Sequence, residues 1–239
     1  MEKMTNLTII IPILNEEKVL PSLLEKIATY SLSINLIFCD GGSSDGGLDI
    51  LKNFKNKSNR SNIEILSENL EAPSIIKTLN LARDAIKTDY VLLHPVDADC
   101  TSVLIGFNVL IQKRSEVIIF FKKYSPSTAL LHLQELVLNN IRVRIFKKFV
   151  WTNCPALRSD IFLEILKHDH GFLEDVITSE YLRSLYTPQI CTKSVVISSR
   201  RYQKDGTLKR VLSNLLILFL YQFNLKTIAE LKVMYHKEK

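Results

Sequence analysis

Along the chain, short apolar runs alternate with stretches of helical spacing. Leu7-Thr8-Ile9-Ile10-Ile11-Pro12-Ile13 is rich in β-branched residues and predicts a first strand buried on both faces. Val19, Leu20, Leu23, Leu24 and Ile27 then mark a helix, with Asn15-Glu16-Glu17 placing acids in its first turn and Pro21 near its start. Ile34 to Cys39 predicts a second strand, and Leu48, Ile50, Leu51 and Phe54 carry the next helix. Ile63 to Leu66 predicts a short third strand, Pro73 to Ile86 a helix, and Tyr90-Val91-Leu92-Leu93 a buried strand that must stop near Pro95. A helix near Ser102 to Ile111 and a strand over Val117 to Phe121 follow. Ala129 to Phe149 has helical spacing, and its basic end (Arg142, Arg144, Lys147, Lys148) reads as a solvated face. Gly171 to Val176 opens another helix, with Val176, Leu182 and Leu185 inward, and Val195-Val196-Ile197 makes a last strand. Strands alternating with helices predict an α/β fold with a mostly parallel central sheet covered by helices.

Composition changes this picture little. The chain has 239 residues, 46% hydrophobic and 23% charged, enough for one large α/β domain with a C-terminal appendage. A net charge of +6 favours anionic partners such as nucleotides, phosphates or acidic headgroups. No basic block interleaved with stacking aromatics argues for nucleic acid, so none is expected as a partner. Cys39, Cys100, Cys154 and Cys191 lack metal-ligand spacing; three of them sit in or beside apolar segments, as small buried hydrophobes of a reducing compartment do. Met1 to Asn6 leads straight into a strand, so no signal peptide is expected, and the apolar run Leu215 to Tyr221 is too short to span a bilayer. The expected location is cytoplasmic.

Candidate chemistry gathers at strand ends. Asp97-Ala98-Asp99 lies just past the Tyr90 strand, where open α/β sheets bind ligands, and two carboxylates there suit a hard divalent cation as well as a polar turn. Asp40-Gly41-Gly42-Ser43-Ser44-Asp45-Gly46-Gly47 holds four of the seven glycines. Such density implies positive φ or close approach of a ligand, and Ser44 or Asp45 can cap the helix that follows. The turn is neither a Walker A loop nor a dinucleotide fingerprint, since its acid precedes its glycines. Glu174-Asp175 at a helix start suits the helix dipole and could equally supply a general base. Arg200-Arg201 after the last strand could clamp phosphates or be surface charge. His168 and His170, flanking Asp169, lack a third metal ligand.

In this order, Ile9 to Glu17, the Asp40 to Gly46 turn, Asp97-Ala98-Asp99 and Leu173-Glu174-Asp175 resemble family 2 glycosyltransferases of the GT-A (nucleotide-diphospho-sugar transferase) fold. The chain is most similar to the small stand-alone bacterial subgroup of radical-SAM/selenodomain-associated transferases, which also end in an Arg-Arg-aromatic stretch, a Gly and an apolar helix. The resemblance covers nearly the whole chain. It implies a GT-A domain over 1–201, with a nucleotide-binding half (1–100) and an acceptor half (101–201), and a C-terminal apolar helical appendage over 202–239. It also implies an inverting transfer of a sugar from a nucleoside-diphosphate sugar to an acceptor hydroxyl. Asp40 would contact the base, Pro12, Asn15 and Glu16 would wall the nucleoside, and Lys77 would lie near the nucleotide. Asp99, with Asp97 beside it, would hold Mg²⁺ or Mn²⁺ on the diphosphate. Asp175 would be the base, with Glu174, Arg200 and Arg201 on the acceptor or phosphate side. The chain departs from the subgroup at Ile75, at Trp151-Thr152-Asn153-Cys154 on the acceptor side, and at Leu93-His94-Pro95-Val96.

Two rival readings follow. A nucleotidyltransferase would need a Gly-rich loop with a basic residue after the first strand, and Leu14-Asn15-Glu16-Glu17 offers neither. A catalytically degenerate module that binds a nucleotide sugar, a partner or a membrane surface would explain the altered acceptor side. Val211 to Phe223 is apolar on nearly every face and must be buried in the core, in a homodimer or in lipid. Lipid would put the protein at the inner face of the cell membrane, within reach of a lipid-linked acceptor.

Overall fold

The computed structural model describes residues 7–30, 34–58, 60–104, 107, 115–169 and 171–237. Residues 1–6, His170 and, within the helix expected over 102–111, positions 105, 106 and 108–111 lie outside them. Strands β1 (Leu7–Ile13), β2 (Asn35–Asp40), β3 (Ile63–Ser67) and β4 (Tyr90–Leu93) are joined by helices α1 (Leu20–Ala28), α2 (Gly47–Lys57) and α3 (Ile75–Asn80). The second half adds β5 (Ala98–Asp99), β6 (Val117–Ser125), β7 (Ala156–Arg158) and β8 (Gln189–Ser198). Its helices are α4 (Ala129–Val137), α5 (Ser159–Ile165), α6 (Glu174–Leu185), α7 (Arg200–Asp205), α8 (Thr207–Gln222) and α9 (Ile228–Lys237). One eight-stranded sheet results, in the order β3-β2-β1-β4-β7-β6-β8-β5. The β1–β2, β1–β4, β2–β3 and β6–β8 pairs are parallel, whereas β7 and β5 run antiparallel to their neighbours.

Alternation on the central strands explains why they read as continuous apolar runs. Ile9 and Ile11 of β1, Leu36 and Phe38 of β2 and Leu92 of β4 enter one core. Ile10, Ile37, Val91 and Leu93 enter the other, on the opposite face. A parallel sheet covered on both faces needs apolar residues at both parities. Because β1 lies between β2 and β4, the chain leaves it in both directions, and the carboxyl ends of these strands open a crevice.

Several elements differ from expectation. Helix α1 begins at Leu20 with Pro21 in its first turn, so Glu16 and Glu17 precede it rather than sit in it. The stretch expected as one helix to Ile86 is α3, capped by Ser74, and then a separate 3₁₀ turn at Arg83–Ala85. Strand β6 runs four residues beyond Phe121, to Ser125. Helix α4 widens into π-type turns over Leu138–Ile145. Leu185 is 56% exposed, although Val176 and Leu182 are buried as expected. In α8 only Val211 and Ile217 are buried, so its apolar surface is largely open.

The length of β6 creates the key constraint. Strand β7 pairs with it only at Val117 and Ile118, leaving the remaining edge without a strand partner on that side. Side chains close it instead. Asn153 Nδ2 donates to Phe120 O (2.9 Å), Asn139 Oδ1 accepts from Lys122 N (3.1 Å) while its Nδ2 donates to Lys122 O (2.9 Å), and Glu135 accepts from Tyr124 N. Buried backbone groups must find such partners. Replacing Asn139 strands both backbone groups of Lys122, at about 1–3 kcal/mol each. Asn139→Ala is therefore expected to lower unfolding free energy in urea by roughly 2–4 kcal/mol, and a loss under about 0.5 kcal/mol, the usual size for a surface change, would remove this clamp from the account.

Candidate functional site

A cavity of about 990 Å³ opens beyond the carboxyl ends of β1 and β4 and extends under α4 and α8. Among the sequence-predicted residues, Pro12, Glu16, Asp97, Glu174, Asp175 and Arg201 line it. Asn15, Asp40, Lys77, Asp99 and Arg200 do not.

Beyond the ends of β1 and β2, two loops are laced together. Asn15 adopts φ 54°, a left-handed conformation Asn tolerates, and its Oδ1 accepts from Ser44 N (2.8 Å). Asp40 is fully buried, and its carboxylate accepts from Ser43 N (3.1 Å), from the Ser43 hydroxyl and from the Ser67 hydroxyl (2.8 Å). These bonds shape the turn, and Asp40 does not line the cavity. Gly42 has φ 101°, and a Cβ there would meet Asn69 Oδ1 at 2.9 Å. The start of α2, expected to favour an anion, is already served: Asp45 accepts from Gly47 N (3.0 Å) and Glu17 from Gly46 N (3.3 Å). Lys77 instead donates to Ala72 O (3.2 Å).

The two carboxylates of the Asp-Ala-Asp element part company. Asp97 faces the cavity, where Arg200 bridges it (3.8 Å) to Glu16 (2.7 Å), and Arg201 stands 3.9 Å from Glu16. Asp99 sits in β5, pairs with Lys26 of α1 (3.5 Å) and accepts from Thr101 N (3.0 Å). Burial works against its charge, but the Thr101 and Lys26 contacts outweigh that and hold its carboxyl below the ordinary range. The metal role implied for Asp99 thus finds its carboxylate turned to a lysine outside the cavity wall, because β5 is paired with β8 in that register.

At the other end, Leu173 takes φ 57° and turns the chain into α6, whose first residues are Glu174 and Asp175. Glu174 is buried and accepts from Ile76 N (3.0 Å), capping α3. Asp175 accepts from Val176 N (2.8 Å) and belongs to the cavity wall. Burial raises its pKa; Arg142, the Val176 and Trp151 backbone N–H groups and Lys122 oppose that rise. Lys122 is only 5% exposed, and its Nζ lies 3.4 Å from Thr152 Oγ1 and 5.4 Å from the Tyr124 ring centre. Burial first, then Arg142, bring its pKa down to about 8.

Lys122 and Arg142 are the site residues that sequence reasoning missed. Arg142 had been read with a solvated basic run, yet it lines the cavity, while Lys148 pairs with Glu180 (2.6 Å) and Arg144 packs on the Phe121 ring. Carrying the β6 alternation on to Tyr124 would have enclosed Lys122. Fully buried His94 hydrogen-bonds Tyr30 Oη (3.1 Å), and Cys100 Sγ lies 3.4 Å from Cys154 Sγ. Cys39, Cys100 and Cys154 are buried and free, as their apolar settings suggested. His168 forms a long contact with Glu164 (3.9 Å). Among the described residues no three His, Cys, Asp or Glu side chains converge on a metal position, and no helix is long and apolar enough to cross a membrane.

The layout, a mostly parallel sheet with a crevice at the β1–β4 switch and carboxylates around it, is that of GT-A glycosyltransferases. Residues 8–103 match Glycosyl transferase family 2. No curated protein matches the chain by sequence. Among solved structures, a mannosyltransferase from Pyrobaculum calidifontis in complex with GDP-Man and Mn²⁺ superposes with TM-score 0.69 at 13% identity, over 95% of this chain and 66% of that one. S. aureus TarS 1-349 gives TM-score 0.64 at 16% identity, over 87% and 64%. Glucosyl-3-phosphoglycerate synthase from Mycobacterium tuberculosis, with Mn²⁺ and UDP bound, gives 0.55 at 15%, over 80% and 71%. The chain thus spans just under two thirds of the first two. The family match is confined to the first half of the chain, and the neighbours, all at 16% identity or less, show a shared fold.

The raised pKa of Asp175 has a stability consequence. The folded state binds this proton more tightly than the unfolded chain, so the contribution is fully present below the unfolded pKa and lost as pH rises through the folded one. Asp175→Asn is expected to raise the melting temperature at pH 7, with the gain shrinking as pH falls through the raised folded value and gone below the ordinary aspartate value of about 4. A gain that is absent at pH 7 or independent of pH would contradict burial as the dominant influence.

Proposed function

We propose that the protein is an inverting glycosyltransferase that moves a sugar from a nucleoside-diphosphate sugar to an acceptor hydroxyl, with Asp175 as the general base. One observation supports this reading: Asp175 shares one cavity with Glu16, Asp97 and Arg201, and Arg200 ties Asp97 to Glu16, so a base and a diphosphate end would face one space. The Arg-Arg-aromatic segment Arg200-Arg201-Tyr202 and the apolar helix after it support a place in the radical-SAM-associated subgroup.

The chemistry is a single displacement. The acceptor oxygen attacks the anomeric carbon from the side opposite the diphosphate, its proton passes to a carboxylate oxygen of Asp175, and the bond from sugar to diphosphate breaks with inversion. Pro12 and the backbone near Asn15 and Glu16 wall the nucleoside, while Asp40 acts indirectly by holding the Ser43 turn. Charge builds on the departing diphosphate, and Arg201 on the cavity wall can receive it by bidentate hydrogen bonds, with Arg200 holding Glu16 and Asp97 beside it. A divalent cation fits the same end, since Mg²⁺ needs only one or two carboxylates and completes its shell with phosphate oxygens and water. Asp97, on the wall, would hold it, and Asp99 would not. When bound, the ion would supply further stabilisation of the leaving diphosphate. Arg142 and Lys122 favour the ionised form of Asp175 against the burial that raises its pKa.

Asp175→Asn is expected to lower kcat by about 10²–10⁴-fold, the usual worth of a positioned base, with calorimetric affinity for the donor unchanged. A variant that loses donor binding, or that keeps its rate, would remove the base from Asp175. Lys122→Met deletes a charge that favours ionised Asp175, so the acid limb of the kcat/KM profile should move to higher pH, and Lys122→Arg should restore it. An unmoved limb would leave Lys122 a packing residue.

A further inference from the structure

Beyond Asp175 the cavity continues into an apolar arm between α4 and α8. Leu133 and Val137 of α4 and Leu208, Leu212 and Leu215 of α8 line it, and these five side chains are 44–60% exposed. Arg210 and Asn214 are the polar residues α8 adds to the lining, and Arg210 is bound to the Tyr235 hydroxyl (2.9 Å). A second observation concerns the inner end. Gln134 Oε1 and Trp151 Nε1 are buried without a hydrogen-bond partner among the described residues, and both residues belong to the cavity wall. Gln134 Nε2 is already used on Tyr202 Oη (3.3 Å), which leaves its carbonyl as the open group. Buried polar atoms in folded proteins are almost always paired. The open pair is one acceptor and one donor, and a hydroxyl group supplies the complement of each.

We propose that the acceptor is an amphiphile. Its hydroxyl-bearing head is received by Asp175, Gln134 and Trp151, and its hydrocarbon chain lies in the arm between α4 and α8. The proposal rests on the glycosyl-transfer reading and names that reading's acceptor class. A second copy of the chain, or a bilayer against the outer leucines, would cover α8 but would leave the inner polar pair unanswered. A sugar acceptor without a chain would satisfy the pair but leave the arm empty. One molecule with both parts answers both observations.

Trp151 is the only tryptophan of the chain, so its fluorescence reads occupancy of the cavity without any turnover. The full chain is titrated with monomeric ethyl, butyl, hexyl and octyl glucosides, and separately, by calorimetry, with a nucleoside-diphosphate sugar. Each methylene buried in the arm should tighten alkyl-glucoside binding about fourfold. The double variant Leu212→Gln, Leu215→Gln should flatten that dependence while donor binding stays intact. Both leucines are more than half exposed, so the variant should fold, and circular dichroism checks this. Binding that is equal across the series, absent, or confined to lipid vesicles overturns the amphiphile with the transferase reading untouched. Alkyl-glucoside binding lost only because the protein self-associates through α8 overturns it in favour of a dimer. Failure of donor binding, whatever the alkyl series shows, strikes the transferase reading itself.

Discussion

The site depends on how the free edge of β6 is satisfied. A strand of nine residues faces a partner of three, so the backbone from Phe120 to Tyr124 would be buried with open donors and acceptors. Asn153, Asn139 and Glu135 act as a substitute strand. Their bonds draw the 129–145 helix and the Trp151–Asn153 turn against the sheet, and those two segments are the cavity's second wall. A polar clamp of this kind is directional where an apolar contact is not, so it fixes Lys122 in place along with its own backbone. The clamp therefore links the packing of the sheet to the electrostatics around Asp175.

Around Asp175 two influences oppose each other, and burial prevails. Burial favours the protonated acid, whereas Arg142, the Val176 and Trp151 N–H groups and Lys122 favour the carboxylate. A base that must take a proton at neutral pH benefits from such opposition, since full exposure would leave it a weak base and full burial would leave it already protonated. Lys122 is tuned in turn, with burial and Arg142 lowering its pKa and Asp175 and Glu135 raising it. The group of charges is therefore coupled, and each member depends on the fold holding the others near.

At the opposite end, Arg200 reaches across 184 residues of sequence to Glu16. That contact joins the segment after the last strand to the loop after the first, closing the crevice from the C-terminal side. Helix α8 follows directly, fastened by Tyr221 Oη donating to Glu180 (3.1 Å) yet leaving much of its apolar surface open. The same stretch thus brings positive charge to the Glu16 end of the cavity and hydrophobic surface to the other. Both meet in one cavity.

The sequence by itself determined the α/β class, the strands β1 to β4 and the positions of the carboxylates at strand and helix ends. Period-two burial on both faces and Pro95 as a strand stop are local properties, legible in consecutive residues. Burial of Cys39, Cys100 and Cys154 was legible for the same reason. The tertiary structure alone decided that Asp97 and not Asp99 faces the cavity, that Asp40 is spent on Ser43 and Ser67, and that Lys122 and Arg142 stand beside Asp175. It also decided that α8 stays half open rather than buried. Each of these depends on which distant backbone or side chain arrives at a given point, through strand register, an unpaired edge or a contact across the chain. Local pattern carries no information about such meetings, because hydrogen bonds and charges act between neighbours in space whatever their separation in sequence.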